Sequence, residues 1–376
     1  MQSRSCGPSI LWWIDHLGSG GSQQVLVRLI EHMAVSAKCQ RVICLRDVVD
    51  PDLKARINSV GAELHIIGKK KLLCGIGFYT LQQLIRRGRF DVSVTFLFVS
   101  DIIGTLMACL GHIPGRISAQ RSSNRNFSLV RRKLIQVALM KSTRIVLNSS
   151  AYRSYMERIL PRRVPVCVIP NGVDINRFSA PGGKQLIHEE LGLPSSVLLL
   201  GCIGRLSVEK CLADVIEALS LLKDKNTHLI LVGDGPEFQR LVDTVSRFGL
   251  LSRVHFLGPR RNIPEILSSI SVYIQASSFE GMPNGLLEAM AVGCPVAVSE
   301  IEENMLLVDN GNLGWTFEVG DARELARNLD KLLEDQNSAR LKAVGAKEKI
   351  VRYYREEIML TAWENLLIQA KEEISS

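Results

Sequence analysis

Short apolar runs alternate with amphipathic stretches along almost the whole chain, and no other feature restricts the fold as much. In the first half the runs fall at Ile10–Ile14, Arg41–Leu45, Glu63–Ile67, Val92–Phe96, Gly115–Ala119, Arg144–Asn148 and Val166–Ile169, with helical spacing between them, for example over Ser22–Val35. A second series occupies Val197–Ile203, His228–Val232, Arg253–Leu257, Val272–Gln275 and Val296–Val298, with helices starting near Leu212, Glu237, Ile263 and Gly285. Strands that alternate with helices pair in parallel through right-handed crossovers. A Pro/Gly/Asn-rich segment, PNGVDINRFSAPGGK (170–184), stands between the two series and reads as a linker. From Asp321 the pattern is helical to the end. The expected fold is α/β, with two Rossmann-like, doubly wound parallel-sheet domains facing a central cleft. A chain of 376 residues suits two domains, here placed at 1–170 and 171–353.

Composition narrows the partners. The nine cysteines are an odd number, scattered, with no C-x-x-C pair, which argues for a reducing compartment and against a disulfide framework or structural zinc. The start of the chain does not read as a signal peptide, because its apolar run is too short before Asp15. The longest apolar stretch, Val92–Ile113, carries Asp101 at its middle and reads as a strand and a buried helix rather than a membrane span. Residues 1–180 hold 26 Lys+Arg against 10 Asp+Glu, and the remainder hold 20 against 28. The basic half, with clusters at Lys69–Lys71, Arg86–Arg89, Arg131–Lys133 and Pro161–Arg163, suits an anionic membrane surface or a phosphorylated partner. Any single cluster is also explained as a solvated helix face. No nucleic-acid motif accompanies the charge, so nucleic acid is not the expected partner.

The most informative stretch is SSFEGMPNGLLEAMAVGCPV, from Ser277 to Val296. It reads as a loop and helix between two strands, so the helix N-terminus falls at a strand's carboxyl end, where open α/β sheets bind ligands. The unpaired amides of that first turn suit a phosphate. Gly281 and Gly285 allow close backbone approach, and Pro283 stiffens the turn. Glu280 lies in the loop and Glu288 one turn inside the helix, both able to accept from sugar hydroxyls. Taken singly, each Glu is better explained by the helix dipole or by solvation. Their combination with the Gly-Met-Pro-Asn-Gly loop is what favours a ligand site.

Three more loops fall at strand ends. GRLSVEKC (204–211) presents Arg205 and Lys210, two cations of the kind a diphosphate needs. VGDGP (232–236) opens a helix and is as readily a mere turn. HLGSGGSQQ (16–24) fails as a dinucleotide fingerprint, since Gln23 stands where a third glycine is required, but Gly20 and Gly21 bring amides close to a helix start.

With these motifs in order, the second half closely resembles the retaining, nucleotide-sugar-dependent glycosyltransferases of family 4, which have the GT-B fold. The resemblance rests on IPNGVDINRF, GRLSVEK, LILVGDGP, HFLGPRRNI and the Glu-x7-Glu stretch 280–288, about 120 residues. The first half is similar more loosely, through the Gly-Gly loop, DVSVTFL and RISAQRSSNRN. The resemblance implies that Glu280 holds a hydroxyl of the donor sugar and Glu288 the ribose. It implies that Arg205 and Lys210, at the strand end marked by Gly204, bind the diphosphate and stabilise the leaving nucleotide. Backbone amides over Gly281, Met282, Pro283, Asn284, Gly285 and Leu286 would face phosphate and sugar. Gly20 and Gly21 would close over the diphosphate, and the final helix, 354–376, would pack back on the first domain. Such enzymes use fixed cations and helix dipoles and no metal. Several positions depart from the family pattern. Cys211 replaces a glycine, Gln23 stands where many members have Glu, and SEIEENM (299–305) lacks the usual small residues. Arg121 occupies the neighbourhood where many members place a histidine, which makes it the acceptor-side catalytic candidate.

The expected activity is therefore retaining transfer of a hexose or N-acetylhexosamine from a UDP-linked donor to a lipid-linked or growing polysaccharide acceptor. The donor is a substrate, and no cofactor is called for. The enzyme is expected in the cytoplasm, peripheral on the inner face of the membrane. One rival is a GT-B nucleotide-sugar epimerase, which would not need a basic acceptor domain. The other is a non-catalytic nucleotide-sugar-binding subunit, against which the intact Arg205, Lys210, Glu280 and Glu288 argue.

Overall fold

The computed structural model describes residues 7–18, 20–121, 128–160, 164–179, 182–183 and 185–375. The chain divides into two compact units, Met1–Asn171 with Glu357–Ser376, and Gly172–Glu356. The first unit holds seven strands: β1 (Ser9–Ile14), β2 (Cys39–Cys44), β3 (Glu63–Ile66), β4 (Val92–Phe96), β5 (Gly115–Gln120), β6 (Arg144–Leu147) and β7 (Val166–Val168). They pair in parallel in the order β3-β2-β1-β4-β5-β6-β7. Ile10, Trp12 and Ile14 of β1 enter one core while Leu11 and Trp13 enter the other, the two-residue alternation of a strand covered on both faces. The indole N–H groups of Trp12 and Trp13, both fully buried, donate to Gln40 and Ser93 at 2.9 and 3.0 Å.

The terminal helix, Glu356–Ser375, contributes Met359, Trp363, Leu366, Leu367 and Ala370 to the first of these cores, at the spacing of one helix face. Trp363 stacks on Phe96 with ring centroids 6.0 Å apart. The apolar stretch Val92–Ile113 resolves into β4 and the helix Phe98–Leu110. Among the described residues no helix is long and apolar enough to cross a membrane.

The second unit holds β8 (Leu199–Ile203), β9 (His228–Val232), β10 (Val254–Gly258), β11 (Val272–Gln275), β12 (Val296–Ser299) and β13 (Trp315–Phe317), parallel in the order β10-β9-β8-β11-β12-β13. Leu229 and Leu231 of β9 enter one core, Ile230 and Val232 the other. The edge strand β13 escapes the sequence reading because it is three residues long and only Phe317 is fully buried.

The segment read as a linker is only partly one. Ile175–Phe178 is a helical turn and Phe178 is buried in the second unit's core. Val173 donates to the Tyr354 carbonyl at 2.8 Å, and Glu356 donates to the Val173 carbonyl at 2.9 Å, a parallel bridge. A Cβ on Gly172 would lie 2.5 Å from Glu356 Cα, so this approach of two backbones requires glycine. The chain passes between units at 171/172 and again at 356/357, where the sequence reading had placed 170/171 and 353/354.

Strand order reverses between β1 and β4 in one sheet and between β8 and β11 in the other. At such a switch point the connecting loops diverge and leave a crevice.

Candidate functional site

β8 ends at Ile203, and Gly204 turns the chain with φ +148°, a conformation that L side chains rarely adopt. Leu206 then plugs the core and Arg205 is left exposed. The backbone of this loop continues the sheet's bonding past its end. Gly204 donates to Val232 O at 2.9 Å, Leu206 to Asp234 O at 2.9 Å, and Glu237 to Leu206 O at 3.0 Å. The two glycines of VGDGP are explained by this contact. A Cβ on Gly233 would sit 1.9 Å from Gly204 O, and one on Gly235 2.2 Å from Leu206 O.

A 3-10 turn over Val208–Lys210 follows, and Cys211 enters the next helix with φ +49°. That left-handed value is one glycine adopts without strain, a physical reason for glycine to be usual there. Glu209 O accepts from Ser278 N at 2.9 Å, tying this turn to the loop after β11.

On β11, Tyr273, Gln275 and, just beyond the strand, Ser277 share one face, and all three are buried. Buried polar groups need partners, and these form a line. Tyr273 donates to Gln275 Oε1 at 2.8 Å, and Gln275 Nε2 donates to Ser277 Oγ at 2.7 Å and to Glu280 Oε1 at 2.6 Å. Ser277 Oγ donates to the same Glu280 oxygen at 2.6 Å, and Lys210 Nζ donates to it at 2.5 Å. One carboxylate oxygen thus collects three donors from β11 and from the turn after β8. Burial, followed by the anionic groups around it that include Glu280 and Glu288, raises the Tyr273 phenol well above its ordinary pKa, so it stays a donor.

Pro283 precedes the helix Asn284–Val292. A Cβ on Gly285 would meet the Tyr273 hydroxyl at 2.4 Å and Ile203 O at 3.2 Å, so glycine lets the helix start press against the ends of β8 and β11. Glu288 is half-buried one turn along. SEIEENM is not an open loop. It ends β12 at Ser299 and then forms the helix Glu302–Leu307. Ser299 Oγ donates to Ser277 O at 2.6 Å and Asn304 Nδ2 to Ser299 Oγ at 3.1 Å, which braces the Ser277 turn from behind.

The structure therefore gathers Gly204, Arg205, Lys210, Gln275 and Ser277 around one pocket at the β8/β11 switch point. Lys210 ties Glu280 to it, and Glu280 leads on through Gly281, Met282, Pro283, Asn284, Gly285 and Leu286 to Glu288. The sequence reading missed Tyr273, Gln275 and Ser277. The signal was there, since they are the period-two polar positions of a strand otherwise apolar. Among the described residues, no three His, Cys, Asp or Glu side chains converge as a metal ion would require.

Gly20, Gly21 and Arg121 belong to the first unit. Gly20 precedes the helix Gly21–Met33, and a Cβ there would meet Gln23 Oε1 at 2.5 Å. The switch point of this sheet is closed by a carboxylate. Asp15, just after β1, accepts from the Val99 and Ser100 amides at 3.1 and 2.7 Å, capping the helix Phe98–Leu110. Arg121 follows β5, donates to Asn171 Oδ1, and lies over the Phe96 ring at 5.9 Å. The rest of SSNRN after Arg121, Ser19 of the Gly-Gly loop and the cluster at 161–163 lie outside the described residues.

Two family models match this chain: Glycosyltransferase Family 4 over residues 19–177 and Glycosyl transferases group 1 over residues 183–349. A galactosyltransferase of Escherichia coli, UDP-Gal:alpha-D-GlcNAc-diphosphoundecaprenol alpha-1,3-galactosyltransferase, is 26% identical over 320 residues, 81% of each chain. The N,N'-diacetylbacillosaminyl-diphospho-undecaprenol alpha-1,3-N-acetylgalactosaminyltransferase of Campylobacter jejuni is 23% identical over 291 residues, 73% of this chain and 76% of its own. Among solved structures, Anabaena HepE in complex with UDP and glucose superposes with a TM-score of 0.85 at 21% identity, covering 96% of this chain and 99% of that one.

Proposed function

The chain belongs to the family 4, group 1 glycosyltransferases of the GT-B fold, and from that premise we propose that it transfers a hexose or N-acetylhexosamine from a UDP-sugar to a lipid-linked glycan, with retention. The carrying observation is the convergence of Lys210, Gln275 and Ser277 on Glu280 Oε1 beside a helix start. In this reading Lys210 and Arg205 neutralise the diphosphate, and the amides that open the helix Asn284–Val292 add their partial positive charge. Glu280, fixed by its three donors, presents its carboxylate to a sugar hydroxyl, and Glu288 takes the ribose. The bond from the anomeric carbon to phosphate oxygen breaks as the bond to the acceptor oxygen forms on the same face. The acceptor proton passes to the departing phosphate. No metal is required for this, because the cations are part of the fold. Relatives of this chain act on diphosphoundecaprenol-linked sugars, which supports a lipid-linked acceptor here.

The same reading puts the first unit on a membrane surface. The helix Leu129–Lys141 exposes Leu129, Val130, Leu134 and Val137 beside Arg131, Arg132 and Lys133. The segment 69–79 likewise exposes Lys69–Lys71 with Leu73, Ile76, Phe78 and Tyr79. Apolar groups among cations suit an anionic interface. The test of function is thermal shift against UDP-, GDP- and ADP-sugars, followed by transfer to a synthetic alkyl-diphosphate-linked sugar. Stabilisation by UDP-sugars with transfer is expected. Conversion of the donor to its epimeric nucleotide sugar without an acceptor would instead identify an epimerase.

A further inference from the structure

Arg121 is an anomaly of the first unit. The residue as a whole is half-buried, yet its Nε is cut off from solvent and has no hydrogen-bond partner among the described residues. Among the described residues it donates to Asn171, a buried side chain, and its guanidinium carbon lies 5.9 Å from the Phe96 ring centre. No carboxylate pairs with it among the described residues. The buried carboxyl groups at this edge of the sheet are committed elsewhere: Asp15 to the Val99 and Ser100 amides, and Asp101 to Thr95, Ser118 and Gln120. Burial draws the guanidinium down to about 10, which still leaves it cationic at neutral pH. The pairing of Gln120 with Leu147 places Asn148, a buried side chain, beside Arg121 just past the end of the next strand.

A buried cation without a counter-charge lowers stability. It persists where it meets an anion that the folded chain does not itself supply. The planar guanidinium fork, with an idle Nε beside its other N–H groups, matches two phosphate oxygens. We propose that Arg121, framed by Asn148 and Asn171, is a phosphate-binding site that takes the diphosphate of a lipid-linked acceptor. Its phosphate chemistry rests on this geometry alone, and the acceptor as its source rests on the glycosyltransferase reading. The site recognises what joins the acceptor sugar to its lipid, whatever that sugar is.

Two soluble probes separate the readings: N-acetylglucosamine linked to a short alkyl chain through a diphosphate, and the octyl glycoside of the same sugar. Binding of each to the full chain is measured by calorimetry with UDP at saturation, so that the donor site is filled. The wild-type protein is expected to prefer the diphosphate probe by about ten- to hundredfold, the range of a charge-assisted hydrogen bond. Arg121→Gln should abolish that preference and leave the UDP affinity within about twofold, since a charge-assisted contact is lost only at the acceptor. Its melting temperature should not fall, because a partly buried charge with no paired carboxylate among the described residues has been removed. A purely structural Arg121 would instead lower the melting temperature and leave the preference intact. If Arg121→Gln does not fold, Arg121→Lys decides, since it keeps the charge and loses the fork. An undiminished preference in the folded variant, or none in the wild type, overturns the proposal. Absence of UDP binding with the preference intact would sink the UDP-donor reading and spare the phosphate site.

Discussion

A single methyl group at Gly285 tests whether the packing described above controls the candidate donor site. It would sit 2.4 Å from the Tyr273 hydroxyl and 3.2 Å from Ile203 O. Tyr273 is fully buried, and its hydroxyl donates to Gln275, which in turn holds Glu280. Gly285→Ala must therefore push the phenol aside or lift the helix. Overpacking costs about 1–3 kcal/mol and a lost buried hydrogen bond about 1 kcal/mol, against a helix-propensity gain of at most about 1 kcal/mol. The expected net loss is about 1–3 kcal/mol, or roughly 3–10 °C in the melting temperature of a unit this size. Tyr273→Phe removes the clashing oxygen and alone costs about 1 kcal/mol, because Gln275 loses its donor. In that background the close contacts left are Ile203 O at 3.2 Å and a ring carbon at 3.3 Å, and the cost should fall below about 1 kcal/mol. Scanning calorimetry of the four proteins in this cycle isolates the coupling. An equal cost of Gly285→Ala in both backgrounds would refute the packing argument.

Three further outcomes are expected. Arg205→Ala or Lys210→Ala should slow sugar transfer by about a hundredfold or more; wild-type rates in both variants on an identified donor would displace the phosphate clamp. Activity should survive dialysis against EDTA, and strict dependence on added manganese or magnesium in the transfer assay would count against fixed cations as the leaving-group stabilisers. Burial raises the Asp101 carboxyl from 3.8 to about 7, so folding favours its protonated form. Its contribution to stability is full below about pH 4 and is lost as pH rises through about 7. Denaturation midpoints of wild type and Asp101→Asn across pH 4–8 should differ in slope, and parallel curves would show that Asp101 does not titrate in that window.

The sheets were legible in the sequence because a parallel strand buried on both faces is a continuous apolar run, and β1 and β9 read that way without ambiguity. The strand β13 was not, since three residues at a sheet edge carry no period. At the candidate site, the charged residues stood out against apolar surroundings, and the glycines marked tight turns. The Tyr273–Gln275–Ser277 line did not stand out, because Tyr273 and Gln275 in SVYIQA look like accidents until the strand's alternation brings them to Glu280. The bracing of Ser277 by Ser299 and Asn304 was out of reach, as it depends on which strand lies beside β11. Arg121 was singled out by position, but its lack of a paired carboxylate among the described residues is a property of packing alone.

The placement of Trp363 has a consequence for how the protein is made. The first unit's core is completed by Met359, Trp363 and Leu367, which leave the ribosome after the entire second unit, Gly172–Glu356. At about 5–20 residues per second, roughly 10–40 s separate synthesis of Asn171 from synthesis of Glu357. Throughout that interval Phe96 and its neighbours have no Trp363 to cover them, and by its end the second unit has all the residues it needs to close its own core. The nascent chain thus carries one finished unit behind one with an open apolar groove, and a stop codon that removes the last twenty residues would leave that groove open for good.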